Sequence, residues 1–240
     1  MVSRNVLLSI LQCTCLDGTA TVNQLAELSR TPKSIIETDL ERLVTSNLLS
    51  VIGDKVSVEN EQRIALAIEA FKGGADPERV CRKLNWKEFE EVAMIALDSN
   101  GYSTSKHFVF KHGKMRREID LVGVKGKLVL CVDCKHWMYG WHRSRMTTAV
   151  RQQVERTKAL AAEASNVTKR LNLPHLTRFT FLPLLVTLAD VASRTIQNVP
   201  VVPILRMGTF LDGLSDLISP PFLSFIGNVN RLSTYIEASA

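Results

Sequence analysis

The sequence has no apolar run of roughly 18 residues, the length a membrane-spanning helix needs, so no membrane partner is expected. No secretory leader is expected either. Val6-Leu7-Leu8 follows Arg4, but Ser9, Gln12 and Asp17 break the run before any cleavage site. Without an export signal, the five cysteines are expected to be reduced thiols in a cytoplasmic protein. Internal repeats and low-complexity tracts are absent. Strong basicity is lacking too: 30 Lys and Arg against 24 Asp and Glu leave a formal net charge of +6, with a pI of about 9.2. That balance permits a nucleic-acid partner without requiring one, and a mildly positive soluble surface fits equally. What the chain does have is apolar residue, 45% of 240, which allows a substantial core and argues against global disorder.

Two segments follow different rules. Residues 1–60 read as three helices and a hairpin. Val6, Leu7, Ile10 and Leu11 mark the first helix, and Asp17-Gly18 a turn. Thr21 to Gln24 has capping-box spacing ahead of Leu25 and Leu28. Thr31-Pro32 opens a third helix, where Ile36, Leu40, Leu43 and Val44 share one face. Leu49 to Val58 reads as a hairpin turning at Gly53-Asp54. This order resembles a small, mostly α winged-helix domain. The third helix sets Lys33 and Arg42 against Glu37, Asp39 and Glu41, a poor surface for phosphates, so DNA contact and a protein-contact or dimerising role both stay open. Residues 61–84 read as a helical linker. From Trp86 the pattern becomes α/β, with a helix to about Ser99, strands near 107–111, 118–124 and 127–135, and a long helix near 146–165. Buried strands at 179–188 and 199–206 and a helix from Phe210 to Leu217 follow.

The chemistry concentrates where two strand-like runs meet at Lys125-Gly126. With those two residues as the turn, Asp120 faces Cys131, and Asp133 and Lys135 fall on the same sheet face as Asp120. A turn one residue longer would separate them. Two carboxylates suit a hard divalent cation, and a lysine beside a bound water can stabilise hydroxide. The competing reading is a salt bridge between strand residues. Against that, Asp133 and Lys135 end the apolar strand Leu128 to Val132, where a charge must be solvated or functional. On the upstream helix Trp86, Phe89, Ala93, Ala96 and Leu97 cluster on one face. Glu90 sits at its edge, while Glu88 and Glu91 are expected to point toward water.

Cys131 and Cys134 form a C-x₂-C, but residues three apart on a strand point to opposite faces and no second such pair exists, so a zinc site is disfavoured. His136, next to Lys135, falls on the opposite face by alternation. Lys111, His112, Lys114, Arg116 and Arg117 precede Asp120; Trp137, Tyr139, Trp141, His142, Arg143 and Arg145 follow Lys135. Cations neutralise phosphates and aromatics stack on bases, although a solvated loop over packed aromatics has the same composition. In the long helix Met146, Val150, Val154 and Thr157 are expected inward, leaving Arg151, Lys158 and Gln153 for a substrate or the site's edge.

Phe89-Glu90, Gly101-Tyr102, Asp120 and Asp133-x-Lys135, in that order, resemble the PD-(D/E)xK nuclease superfamily, and within it the Mrr-like restriction endonuclease branch. The likeness covers roughly residues 85–206, and Glu118-Ile119-Asp120 departs from the glycine-rich lead-in common in that branch. It implies a restriction-endonuclease-like mixed sheet flanked by helices at 85–240. It also implies a Mg²⁺- or Mn²⁺-dependent DNA endonuclease. Asp120, Asp133 and the Cys134 carbonyl would hold the metal, Lys135 would activate water, and Glu90 would support them. Lys114, Arg116, Arg117, Arg143, Arg145 and Arg151 would meet the DNA, with two copies pairing to cut both strands. A non-catalytic DNA-binding regulator on the same scaffold, and a nuclease directed at RNA or junctions, are the other readings.

Overall fold

The computed structural model describes residues 2–136, 143–173, 177–188, 195–215 and 222–229, and the chain divides into two compact units, Met1–Val92 and Ala93–Ala240. The first unit begins with α1 (Arg4–Cys13), β1 (Thr19–Thr21), α2 (Val22–Ser29) and α3 (Lys33–Thr45). β2 (Ser50–Ile52) and β3 (Lys55–Ser57) follow, and the three strands form an antiparallel sheet in the order β1-β3-β2. The capping box at the start of α2 is present: Gln24 N–H donates to Thr21 Oγ1 at 3.2 Å, and Thr21 N–H donates to Gln24 Oε1 at 2.8 Å. Two orphan amides of the first turn are thereby satisfied by one local pair.

Residues 61–84 are helical but do more than link. α4 (Asn60–Lys72) and α5 (Pro77–Cys81) place Leu66, Ala67, Ala70 and Val80 in one core with Val6, Ile10, Leu25, Ile36 and Leu40. Their apolar stripe is what closes the bundle.

α6 (Trp86–Ser99) leads into the second unit. There β4 (Ser103–His112), β5 (Met115–Lys125), β6 (Leu128–Lys135), α7 (Arg143–Ala162) and α8 (Ala164–Val167) come first. β7 (Arg178–Thr187), β8 (Thr195–Ile196), β9 (Val199–Pro203), α9 (Met207–Ser215) and β10 (Phe225–Asn228) complete it. The strands make a mixed seven-stranded sheet in the order β4-β5-β6-β7-β9-β8, with β10 antiparallel to β7. β6 and β9 run parallel to β7, and β5 is antiparallel to both of its neighbours, β4 and β6. The apolar run expected as a strand to 206 stops at Pro203 and turns into a 3₁₀ segment, Ile204–Arg206.

Helices cover both faces of this sheet. Ala159 and Leu160 of α7 pack with Val122, Val129, Cys131 and Phe181 on one face. On the other, Leu97 of α6 and Tyr102 pack over Gly123, where an added Cβ would meet both at 3.4 Å. β6 and β7 are buried on both faces, which explains their nearly unbroken apolar sequence.

Candidate active site on the second and third strands of the large sheet

The β5–β6 register differs from expectation in an instructive way. Lys125 pairs with Leu128, so the turn is Gly126-Lys127, not Lys125-Gly126. Gly126, at φ +56°, takes the first central place of a two-residue hairpin turn, where positive φ is required. Asp120 therefore does not face Cys131; Val122 does. The slip moves each partner by two residues. Because side chains alternate with period two, a slip of two keeps every residue on its face.

The ladder ends at Leu121↔Val132. One residue further, the Cys134 N–H donates to Asp120 Oδ2 at 2.8 Å, so a side chain replaces the next backbone acceptor. On β4 the pairing also skips a step between Lys106↔Leu121 and Phe108↔Ile119, and His107 there takes φ +48°. β5 thus leaves regular pairing on both sides at Asp120.

Asp120, Asp133 and Lys135 come together. Lys135 Nζ lies 2.6 Å from Asp133 Oδ2. That approach pairs charges, but it lies outside hydrogen-bond geometry, and the buried oxygen has no hydrogen-bond partner. Burial pushes the Asp120 carboxyl up from its ordinary pKa, and the nearby charge of Asp133 pushes it further. The Cys134 N–H, Lys135 and Arg156 pull the other way. Asp133 is 2% exposed. Two carboxylates thus share a poorly solvated position with two cations, Lys135 and Arg156.

A residue absent from the sequence-derived set completes the cluster. Arg156 Nη1 on α7 donates to Asp133 Oδ1 at 2.9 Å. Its signal in the sequence was only that it follows Gln153 by three on the long helix, which also makes it a helix neighbour of that inward residue. Gln153, expected at the substrate edge, is instead fully buried and donates from Nε2 to the Cys131 carbonyl at 2.7 Å. Met146, Val150 and Thr157 are buried as expected. Cys131 is buried too, its thiol pushed up to about 12 by desolvation.

Of the expected nucleic-acid contacts, Lys114, Arg116, Arg145 and Arg151 are exposed, while Arg117 is half-buried. Trp137, Tyr139, Trp141, His142 and the Arg143 side chain lie outside the described residues. Glu90 is buried on α6, in the stretch belonging to the first unit, and the triplet of the second unit assembles from β5 and β6 alone. Glu88 does not point toward water. It is 3% exposed and binds Arg63 of α4, with Nε to Oε1 at 2.6 Å, because a cation from another helix waits where solvent was expected.

Among the described residues no group of three or more His, Cys, Asp or Glu gathers as a metal cage. The donor set at Asp120 and Asp133 is instead two carboxylates, which fits an ion that keeps waters and substrate oxygens in its shell, as Mg²⁺ does.

The chain matches no protein-family model. An uncharacterized protein from Archaeoglobus fulgidus is 28% identical over 131 residues, which is 55% of this chain and 92% of that protein. Among solved structures, protein VC1899 from Vibrio cholerae aligns with a TM-score of 0.44 at 12% identity, over 88% of this chain and 50% of that one. Restriction endonuclease FokI aligns with a TM-score of 0.35 at 14% identity, over 90% of this chain and 44% of that one. The chain spans half or less of the length of both. Likeness at this level leaves the site's own geometry to bear on function.

Proposed function

We propose that the second unit is a metal-dependent DNA endonuclease of the PD-(D/E)xK kind, Mrr-like in its strand and motif order, and that the winged-helix-like first unit positions it or pairs two copies. The observation that carries this reading is the crowding of Asp120 and Asp133 beside Lys135, with the Asp120 carboxyl raised by burial and by its neighbour's charge. Two buried carboxylates gathered with a lysine at a strand end suit a divalent cation and its water.

In this reading Asp120 and Asp133 hold Mg²⁺ or Mn²⁺, together with the Cys134 carbonyl. The ion, when bound, polarises a phosphoryl oxygen and lowers the pKa of a coordinated water. Lys135 stands next to Asp133 and orients the attacking water while offsetting charge on the phosphorane-like transition state. Arg156 holds the second oxygen of Asp133, so that carboxylate cannot rotate away. Arg145 and Arg151 on the exposed side of α7, with Lys114 and Arg116 from the β4–β5 hairpin, supply cations for the DNA backbone. Glu90 keeps the supporting role implied by the sequence resemblance.

Purified protein incubated with supercoiled plasmid and Mg²⁺ or Mn²⁺ is expected to yield nicked product, and EDTA to stop it. Lys135→Ala is expected to slow nicking by roughly 100-fold or more. A folded Lys135→Ala protein that nicks at the wild-type rate ends the proposal.

A further inference from the structure

The first unit carries a cleft that the nuclease reading does not use. It encloses about 510 Å³ between α1, the end of α2 and α5. Arg30, Arg79, Arg82 and Lys83 line it, and no Asp or Glu does. Arg82 holds Glu78 at 2.6 Å, and Lys83 Nζ donates to Gln12 Oε1 at 2.7 Å. Among the described residues neither Arg30 nor Arg79 has a carboxylate partner. Leu8 and Leu28 add an apolar wall, and Leu28 is 43% exposed.

With Arg82 balanced by Glu78, Arg30, Arg79 and Lys83 line one concave surface without a carboxylate among its lining, and such a surface favours an anion. Two arginines without acids present planar forks suited to phosphate oxygens. The volume falls in the range of roughly 300–1,000 Å³ usual for small-ligand sites, and an apolar wall beside cations matches a base beside phosphates. The contrast with α3 is direct: there Arg42 is taken by Asp39 at 3.6 Å, and Glu37 and Glu41 are exposed on the same helix. We propose that this cleft, and not the α3 face, is the anion site of the first unit. Its ligand is phosphate-bearing and of nucleotide size, either a free nucleotide or the phosphorylated end of a nucleic-acid strand.

The test uses the full chain at low salt in EDTA, so that divalent ions contribute nothing at Asp120 and Asp133. Calorimetry with ATP and fluorescence anisotropy with a labelled single strand bearing a terminal phosphate are compared for wild type and for Arg30→Asn with Arg79→Glu. Binding of ATP identifies a free nucleotide, and binding of the strand alone identifies a strand end. In either case the double variant weakens binding by about 10-fold or more, the change that roughly 1.4 kcal/mol makes. No binding of either probe overturns the proposal. So does equal binding by a double variant whose circular dichroism and Tm match wild type. Because cleavage is not read, a failed nuclease assay and a failed cleft are separate results.

Discussion

Each unit buries a cluster of charges, and the two clusters are built on opposite terms. In the first, Arg63 is 2% exposed and every guanidinium donor has an acceptor. Nε and Nη2 meet Glu88 at 2.6 and 3.3 Å, Nη1 meets the Leu11 carbonyl at 2.9 Å and Thr14 Oγ1, and Nη2 also meets the Lys83 carbonyl at 2.8 Å. Glu88 in turn accepts the Asn85 N–H at 2.8 Å, closing the first turn of α6. In the second, Asp133 has one oxygen held by Arg156 and another that lies beside Lys135 without a hydrogen bond, and Asp120 is pushed toward its neutral form by burial and then by its neighbour's charge. A satisfied buried pair is a structural element. A crowded and partly unsatisfied one is held in place by the rest of the fold, which is the arrangement the proposed metal site calls for.

The comparison breaks most readily at the satisfied cluster. Glu88→Ala strands a buried guanidinium and is expected to cost about 3–5 kcal/mol in urea unfolding. A loss below ~1 kcal/mol would show that water or another acid takes over and that the cluster is not structural.

Asp120→Asn sharpens the other side. It keeps an acceptor for the Cys134 N–H and removes the repulsion from Asp133, so the metal-free protein is expected to gain Tm. A gain of about 2–4 °C corresponds to roughly 1 kcal/mol in a chain this long. The sign follows from linkage. A carboxyl whose folded pKa is raised favours the fold while protonated, and that contribution is lost as pH rises through the folded value. The gap between the variant and wild type therefore opens above the unfolded pKa, near ~3.9, and closes below it. Mg²⁺ is expected to raise the Tm of wild type and not of the variant. An Asp120→Asn protein less stable than wild type at neutral pH contradicts the crowding. The smallest effect belongs to Arg42→Ala, whose 55%-exposed side chain meets Asp39 at 3.6 Å; a change within about 0.5 kcal/mol is expected, as for other exposed pairs.

The capping box of α2, the turn at Gly53-Asp54 and the strand pair carrying the two aspartates were all legible from short stretches of sequence. The turn at Gly126 was misplaced by one residue, and each strand partner by two. The site survived because alternation repeats every two residues. Less was legible where a partner comes from far along the chain. Glu88 read as solvent-facing until Arg63 arrived from α4. Gln153 read as a substrate contact until the Cys131 carbonyl required it, and Arg156 carried no sequence signal tying it to Asp133. The short strands β1, β8 and β10 also escaped notice, since two to four residues hold too little periodicity to read.

The order of residues alone determined the longer strands, the cap of α2, and that two acids and a lysine share one end of a hairpin. Those outcomes depend on side-chain alternation and on hydrogen bonds within a few positions. Only the tertiary structure decided which buried charges are fully hydrogen-bonded and which are not. The solvation of a buried polar group is set by whatever packs against it, and the Glu88–Arg63, Gln153–Cys131 and Asp133–Arg156 partners lie more than 20 residues apart along the chain.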